Sequence, residues 1–144
     1  MIILDTNVLS ELMRSKPSPG VVAWVARQPA AELFTTSITE AEIFYGIELL
    51  TKLLTKGKRR EGLLAAAEAM FAEDLAGRIF GFESDAARVF SKIAAHRRAL
   101  GRPIRHADAQ IAAIAQVRGA KLATRNVADF EDCGLDVLDP WNGS

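Results

Sequence analysis

The chain opens on Met1-Ile2-Ile3-Leu4-Asp5-Thr6-Asn7, an unbroken apolar run that stops on a carboxylate. Ile2, Ile3 and Leu4 do not alternate with polar residues, so a strand built from them is covered on both faces, as inside a parallel sheet. That inference restricts the rest of the chain: helices must clad the sheet on both sides, and each strand must reach the next by a crossover. The carboxyl ends of such strands share one edge, which is where open α/β sheets bind ligands, and Asp5 stands on it. Alone, Asp5 reads better as a turn residue or as the cap of a helix from about Val8 to Met13. Three further acids at equivalent junctions change the balance.

The remaining sequence supplies the required alternation. Pro17, Ser18, Pro19 and Gly20 break the first helix, and Val21, Val22, Trp24 and Val25 give the next an apolar stripe, with Trp24 expected in the core. Leu33 to Thr36 predict a second strand and Thr39 to about Leu54 a long helix. After a break at Gly57, Lys58 and Arg59, the apolar positions from Leu63 to Phe71 resume helical spacing, forming a hairpin with the helix before. Ile79 to Phe82 read as a third strand, and Ser84 to about Leu100 as a helix carrying Ala87, Phe90, Ile93 and Ala94, closed by Gly101. A helix from about His106 to Arg118 ends at Gly119, and Lys121 to Thr124 and Leu135 to Leu138 complete the strands. The expectation is one α/β domain over residues 1–144, three layers α/β/α around a mostly parallel sheet of about five strands.

Composition removes several function classes. No apolar run approaches the ~18 residues of a membrane span, and no basic segment precedes the short first run, so neither a membrane partner nor a secretory leader is expected. Cys133 is the only cysteine, which rules out an internal disulfide and a cysteine-based zinc site and fits a reducing, cytoplasmic location. It is expected to be a small core or near-surface residue. Lys plus Arg and Asp plus Glu are both 18, so overall charge does not argue for or against a polyanionic partner.

Residues just after strands and in the first turns of helices select four places on the shared edge: Asp5, Glu42, Asp108, and Asn126 with Asp129. Ile111, Ala112 and Ala115 continue the helix face of Asp108, so its carboxylate lies on the inward stripe, where an unpaired charge costs several kcal/mol. Each acid also has a structural reading. Thr39 with Glu42 forms a capping box, Ser37 with Glu40 offers the same box two residues earlier, and either register is open. Asp108 complements a helix dipole, and Asp129 suits the cap of a short helix. Together, however, three or four converging carboxylates repel one another unless a cation neutralises them, and oxygen donors of this kind suit Mg²⁺ or Mn²⁺. Such a site suits phosphodiester hydrolysis by metal-activated water. His96 and His106 are too few and too separated for a zinc site or a serine triad, and no glycine loop for phosphates is present. The first strand also lacks the second Asp, two residues after Asp5, of an acid-pocket phosphatase.

The ordered set of motifs resembles the PIN-domain ribonucleases. It consists of Ile3-Leu4-Asp5-Thr6-Asn7-Val8-Leu9-Ser10-Glu11, Thr39-x-Ala41-Glu42 with Gly46, Ala107-Asp108-x-x-Ile111-Ala112-Ala113, and Thr124-Arg125-Asn126-x-x-Asp129-Phe130. More narrowly it is similar to VapC-type toxins of bacterial toxin–antitoxin pairs, including a FitB-like branch whose closing Pro-Trp matches Pro140-Trp141. The resemblance implies a Mg²⁺- or Mn²⁺-dependent endoribonuclease, a homodimer, an RNA substrate such as tRNA or rRNA, and a cognate antitoxin that covers the site and carries any DNA contact. It assigns Asp5, Glu42 and Asp108 as the central acids, with Asn126 or Asp129 as the fourth site residue and Thr6, Asn7 and Thr124 in support. Where FitB-like relatives place an acid directly after Thr-Arg, this chain has Asn126, which implies a weaker second metal position.

Two basic clusters are candidates for RNA. Lys52, Lys56, Lys58, Arg59 and Arg60 sit at the predicted hairpin and read better as a solvated face. Arg97, Arg98, Arg102 and Arg105 lead into the Asp108 helix and are the expected RNA contacts. Apolar residues of the hairpin, Phe44, Leu50, Leu53, Leu64 and Phe71, either fill the core or leave a surplus for a dimer or antitoxin. The alternative function is a catalytically weak PIN-like binding module that acts through its antitoxin in DNA-bound autoregulation.

Overall fold

A computed structural model describes residues 1–53 and 57–143. Strands β1 (Ile2–Leu4), β2 (Leu33–Thr36), β3 (Ile79–Phe80), β4 (Lys121–Ala123) and β5 (Val137–Leu138) form one sheet in the order β3-β2-β1-β4-β5, with every pairing parallel. The first strand is therefore the middle one, flanked by Phe34 and Leu122 at Ile3. Its three side chains alternate between faces. Ile2 and Leu4 join a core with Val8, Val21, Trp24, Ile43, Ile47 and Phe71, whereas Ile3 joins Ile93, Ile111, Ile114, Leu122 and Phe130 on the other side.

Those two cores define the outer layers. Helices α1 (Thr6–Leu12), α2 (Pro19–Arg27), α3 (Ser37–Leu53) and α4 (Gly57–Ala69) cover one face, and α5 (Ser84–Ala99) and α6 (His106–Arg118) cover the other. The expected hairpin is α3 against α4, tied by Phe44 against Phe71 at 5.7 Å and by the Arg60–Glu48 pair at 2.9 Å. A π-turn at Met70–Asp74, with the Leu75 N–H on the Met70 carbonyl, lets both Phe71 and Leu75 stay buried. Gly119 ends α6 at φ +63, the left-handed conformation its position predicts.

Several boundaries differ from the sequence reading. Helix α1 starts at Thr6 rather than Val8, because Asp5 Oδ1 accepts the Thr6 N–H at 2.8 Å and caps it. Helix α3 uses neither predicted capping box: Thr36 Oγ1 accepts the Thr39 N–H at 3.1 Å, a cap one residue ahead of the earlier box. β3 and β5 are two residues each, since Gly81 and Phe82 leave the sheet and Gly134, at φ +70, turns the chain ahead of β5. In α5, Ala86 rather than Ala87 faces the core. Phe71 is buried and Phe44, Leu50 and Leu64 are half-buried, while Tyr45 of α3 is exposed. The predicted end of α3 at Leu54, Lys56, and the side chains of Lys52 and Leu53 lie outside the described residues. Among those described, no helix is long and apolar enough to cross a membrane.

Candidate active site

The strand order places the site. From β1 the chain runs to β2 on one side and β4 lies on the other, so the crevice between the carboxyl ends of β1 and β4 is the switch point of the sheet. Asp5 follows β1 and Thr124 follows β4, and the pairing continues one residue further through the Asp5 N–H to Ala123 O bond at 2.9 Å. Thr124 Oγ1 then donates to Asp5 Oδ2 at 2.8 Å and accepts from the N–H of Asn126 and from Asn7 Nδ2, both at 3.1 Å. Asn7 Oδ1 accepts the Arg125 N–H at 3.1 Å, so the opening motif and the Thr-Arg-Asn segment are laced together across 118 positions.

A second set of bonds brings in Glu42. Thr6 Oγ1 donates to Glu42 Oε1 at 2.8 Å and stands 3.0 Å from the buried Thr39 hydroxyl. The carboxylate that sequence could have assigned to a helix cap therefore points across to α1. Asp108, only 8 % exposed in the first turn of α6, completes the acid set. Its oxygens accept from Arg105 at 3.1 and 3.2 Å, and Arg105 Nη2 also reaches Glu42 Oε2 at 3.2 Å.

These groups line an open cleft of about 490 Å³ to which Asn126 and Asp129 also contribute. Asp5 carries the electrostatic signature of the place. At 4 % exposure its carboxyl is pushed up from 3.8 to about 6, first by burial and then by the charges of Asp108 and Glu42, against the opposing bonds from Thr124 and the Thr6 N–H. The Asp108 carboxylate, followed by Glu42, holds the Arg105 guanidinium all the more firmly charged.

As the side chains stand, no three His, Cys, Asp or Glu among the described residues enclose a single point, because Arg105 fills the space between Glu42 and Asp108. The three acids expected from sequence share one cleft but no common centre as their side chains stand. The donors nonetheless fit a hard divalent cation. Asp5, Glu42 and Asp108 offer only oxygen, they face one cleft, and their mutual repulsion is relieved here by Arg105, which is 65 % exposed. Asn126 and Asp129 both line the cleft, with neither side chain committed to a hydrogen bond among the described residues, so the structure leaves both able to turn toward it.

The expected RNA-binding arginines divide. Arg105 is in the cleft. Arg97 is not: it is 5 % exposed, and its guanidinium donates to the carbonyls of Arg102, Asp129 and Glu131, pinning the loops behind the site. Arg102 is paired with Glu131 and Asp132, and Arg98 is exposed on α5 away from the cleft lining. Their shared error is physical: a basic run on a helix and loop sends successive side chains in different directions, and the acids that neutralise Arg102 are about 30 positions away. Cys133 is buried beside Arg97, and burial raises its thiol pKa, in keeping with a packing role.

Five cleft residues were missed as site members: Ser10, Glu11, Arg14, Arg125 and Trp141. Arg125 and Trp141 were noted only as parts of motifs, yet Arg125 lies over the Trp141 ring, its guanidinium carbon 5.1 Å from the centroid. Glu11 of α1 and Arg14, just beyond its end, close the rim. The Glu11 carboxyl is held below its ordinary range, first by the Ser18 N–H at 2.9 Å and then by Arg14. Arg125 was detectable in principle, since it follows a strand on the same edge as Asp5; the Trp141 position depends on the path of the chain after β5.

The PIN domain family matches residues 2–133, which includes every element from β1 to the loop before β5. The chain belongs to the PIN-domain family. Among PIN-domain relatives it is similar to "VapC ribonuclease Y4jK" of Sinorhizobium fredii, 38 % identical over 98 % of each chain. It is also similar to "Toxin FitB" of Neisseria gonorrhoeae, 34 % identical over 99 % of each. The solved structure of FitAB bound to IR36 DNA contains a chain that superposes with a TM-score of 0.87, at 34 % identity, covering 98 % of this chain and 96 % of that one. The DNA-bound VapBC of Salmonella typhimurium superposes at 0.79 with 26 % identity, over 96 % and 97 % of the two chains. The fold and family expected from the ordered motifs are thus borne out.

Proposed function

We propose that this PIN domain is the toxin of a type II toxin–antitoxin pair and acts in the cytoplasm as a divalent-metal-dependent endoribonuclease on structured RNA such as tRNA or rRNA. The observation that carries it is the convergence of Asp5, Glu42 and Asp108 from three separate elements onto the switch point of the sheet, with Asp5 buried and its charge opposed. A bound Mg²⁺ or Mn²⁺ supplies the positive charge these carboxylates lack and the acidity that turns water into a nucleophile. The protein's own groups do the positioning. Thr124 fixes Asp5, the Thr6 hydroxyl holds Glu42 across from it, and α6 presents Asp108 from below. Asn126 or Asp129 is the fourth site residue of this reading. Because VapC ribonuclease and FitB are the names of full-length relatives, and FitAB and VapBC are complexes, the same reading gives this chain a cognate antitoxin, DNA contact only through it, and a homodimeric toxin.

One observation favours the alternative, a catalytically weak module acting through its antitoxin: Arg105 already neutralises Glu42 and Asp108. Cleavage of total bacterial RNA by purified, antitoxin-free protein separates the two. Discrete fragments that require Mg²⁺ or Mn²⁺ and vanish with chelator and with Asp5→Asn support the nuclease. Equal background from folded wild type and variant supports the module.

A further inference from the structure

The cleft presents a charge problem for a polyanion. It is lined by five carboxylates and three guanidiniums, so some unneutralised cation has to meet the RNA backbone. Two of the three guanidiniums are spent. Arg14 is paired with Glu11 at 3.3 Å, and Arg105 with Asp108 and Glu42 at 3.1 and 3.2 Å. Arg125 makes no ion pair and no side-chain hydrogen bond among the described residues, although it stands at the same rim as Asn126 and Asp129.

Its position is built rather than incidental. The Arg125 backbone N–H is fixed by Asn7 Oδ1, and its guanidinium lies over the indole of Trp141, a residue whose backbone N–H is held by Asp139 Oδ1 at 2.9 Å. Stacking on an indole restrains a guanidinium without consuming its N–H donors, leaving the outward edge able to grip a phosphate with two parallel bonds. Arg125 also borders a second open depression, of about 610 Å³, which extends from the acid cleft past Val127, Val137 and Asn142. Arg125, Asn126 and Asp129 line both depressions, so the guanidinium stands where the two adjoin.

Resting on the nuclease reading above, we propose that Arg125, seated on Trp141, is the phosphate clamp for single-stranded RNA next to the acid cleft. Arg97, Arg98 and Arg102 are not part of this clamp. Each phosphate neutralised on a single strand contributes ~0.7 to the slope of log affinity against log salt.

The test is fluorescence anisotropy of a labelled oligouridylate in chelator, where no metal-dependent cleavage occurs, across a salt series. The proteins compared are wild type, Arg125→Gln, Arg125→Lys and Arg98→Gln, the last altering an exposed arginine outside the cleft. Arg125→Gln is expected to weaken binding about fivefold and flatten the slope by ~0.7. Arg125→Lys should keep the slope while losing part of the affinity, and Arg98→Gln should match wild type. A structural role for Arg125 would lower the unfolding temperature and leave the slope alone, which would overturn the proposal, as would equal loss in Arg98→Gln. An unchanged slope with a weakened hold on a copurified antitoxin would overturn it too and make Arg125 a protein contact. If wild type cleaves RNA and Arg125→Gln keeps the salt slope of kcat/KM, only the clamp fails. If wild type neither binds nor cleaves RNA, the nuclease reading fails and the clamp with it.

Discussion

Replacing Asp5 by Asn should make the metal-free protein more stable while destroying the site. The ionised carboxylate sits in a place that disfavours it, since its pKa moves from 3.8 to about 6. At about 1.36 kcal/mol for each tenfold change in proton affinity, keeping Asp5 charged at neutral pH costs about 3 kcal/mol. The native state holds its proton more tightly than the unfolded chain. Stability from this group is therefore fully present below pH 3.8 and is lost as pH rises through about 6. An amide removes that cost but not all the bonds. Its oxygen can still accept the Thr6 N–H, whereas its NH₂ would face Thr124 Oγ1, which already accepts from Asn7 and Asn126. Losing the Thr124 bond returns about 1 kcal/mol, leaving a net gain near 2 kcal/mol, or roughly 6 °C for a chain of this size. The assay is thermal unfolding of wild type and Asp5→Asn in chelator from acid to neutral pH. The gain should appear on raising the pH and turn into a loss of about 1 kcal/mol, the Thr124 bond, toward pH 3.8, and added Mn²⁺ should narrow the neutral-pH gain by stabilising wild type only. A variant less stable than wild type in chelator at neutral pH would refute the argument that buried, unneutralised charge dominates at Asp5.

Asp108→Asn should abolish RNA cleavage with little loss of unfolding temperature, and Asp129→Asn should cost less activity than Asp108→Asn; equal loss would make Asp129 the fourth acid in place of Asn126. Arg105→Ala should tighten Mn²⁺ binding up to about fivefold, read from metal-dependent thermal shifts, because an exposed ion pair worth ~1 kcal/mol no longer competes; unchanged affinity would show that Arg105 leaves the acids without resistance. Arg97→Ala should lower stability by about 2 kcal/mol, as its removal empties a buried site and strands the part-buried carbonyls of Asp129 and Glu131; measured by denaturant unfolding, a loss below about 1 kcal/mol would refute that reading.

The local pattern already carried the sheet and its polarity. Ile2-Ile3-Leu4 had to be buried on both faces, Gly119 had to end α6, and strand-to-helix junctions had to share an edge, because each follows from the period of side chains and the handedness of crossovers. Asp5 and Asp108 were legible for the same reason: a charge on an apolar stripe is conspicuous in one dimension. Glu42 was only half legible, since a capping box and a site acid have the same spacing, and the choice was made by Thr6, 36 positions away, whose hydroxyl holds it in the cleft. The basic run before α6 misled, because sequence records that arginines are near one another but not which way they point or which acids meet them. Folding buried Arg97 behind the site, paired Arg102 with Glu131 and Asp132, and turned Arg105 onto the acids it was expected to oppose. It left Arg125 on Trp141 as the cleft guanidinium without an ion pair among the described residues, a stacking that exists because β4 and the chain after β5 end at the same edge of the sheet. Charge pairing between distant segments is a tertiary property, decided by which strands lie side by side.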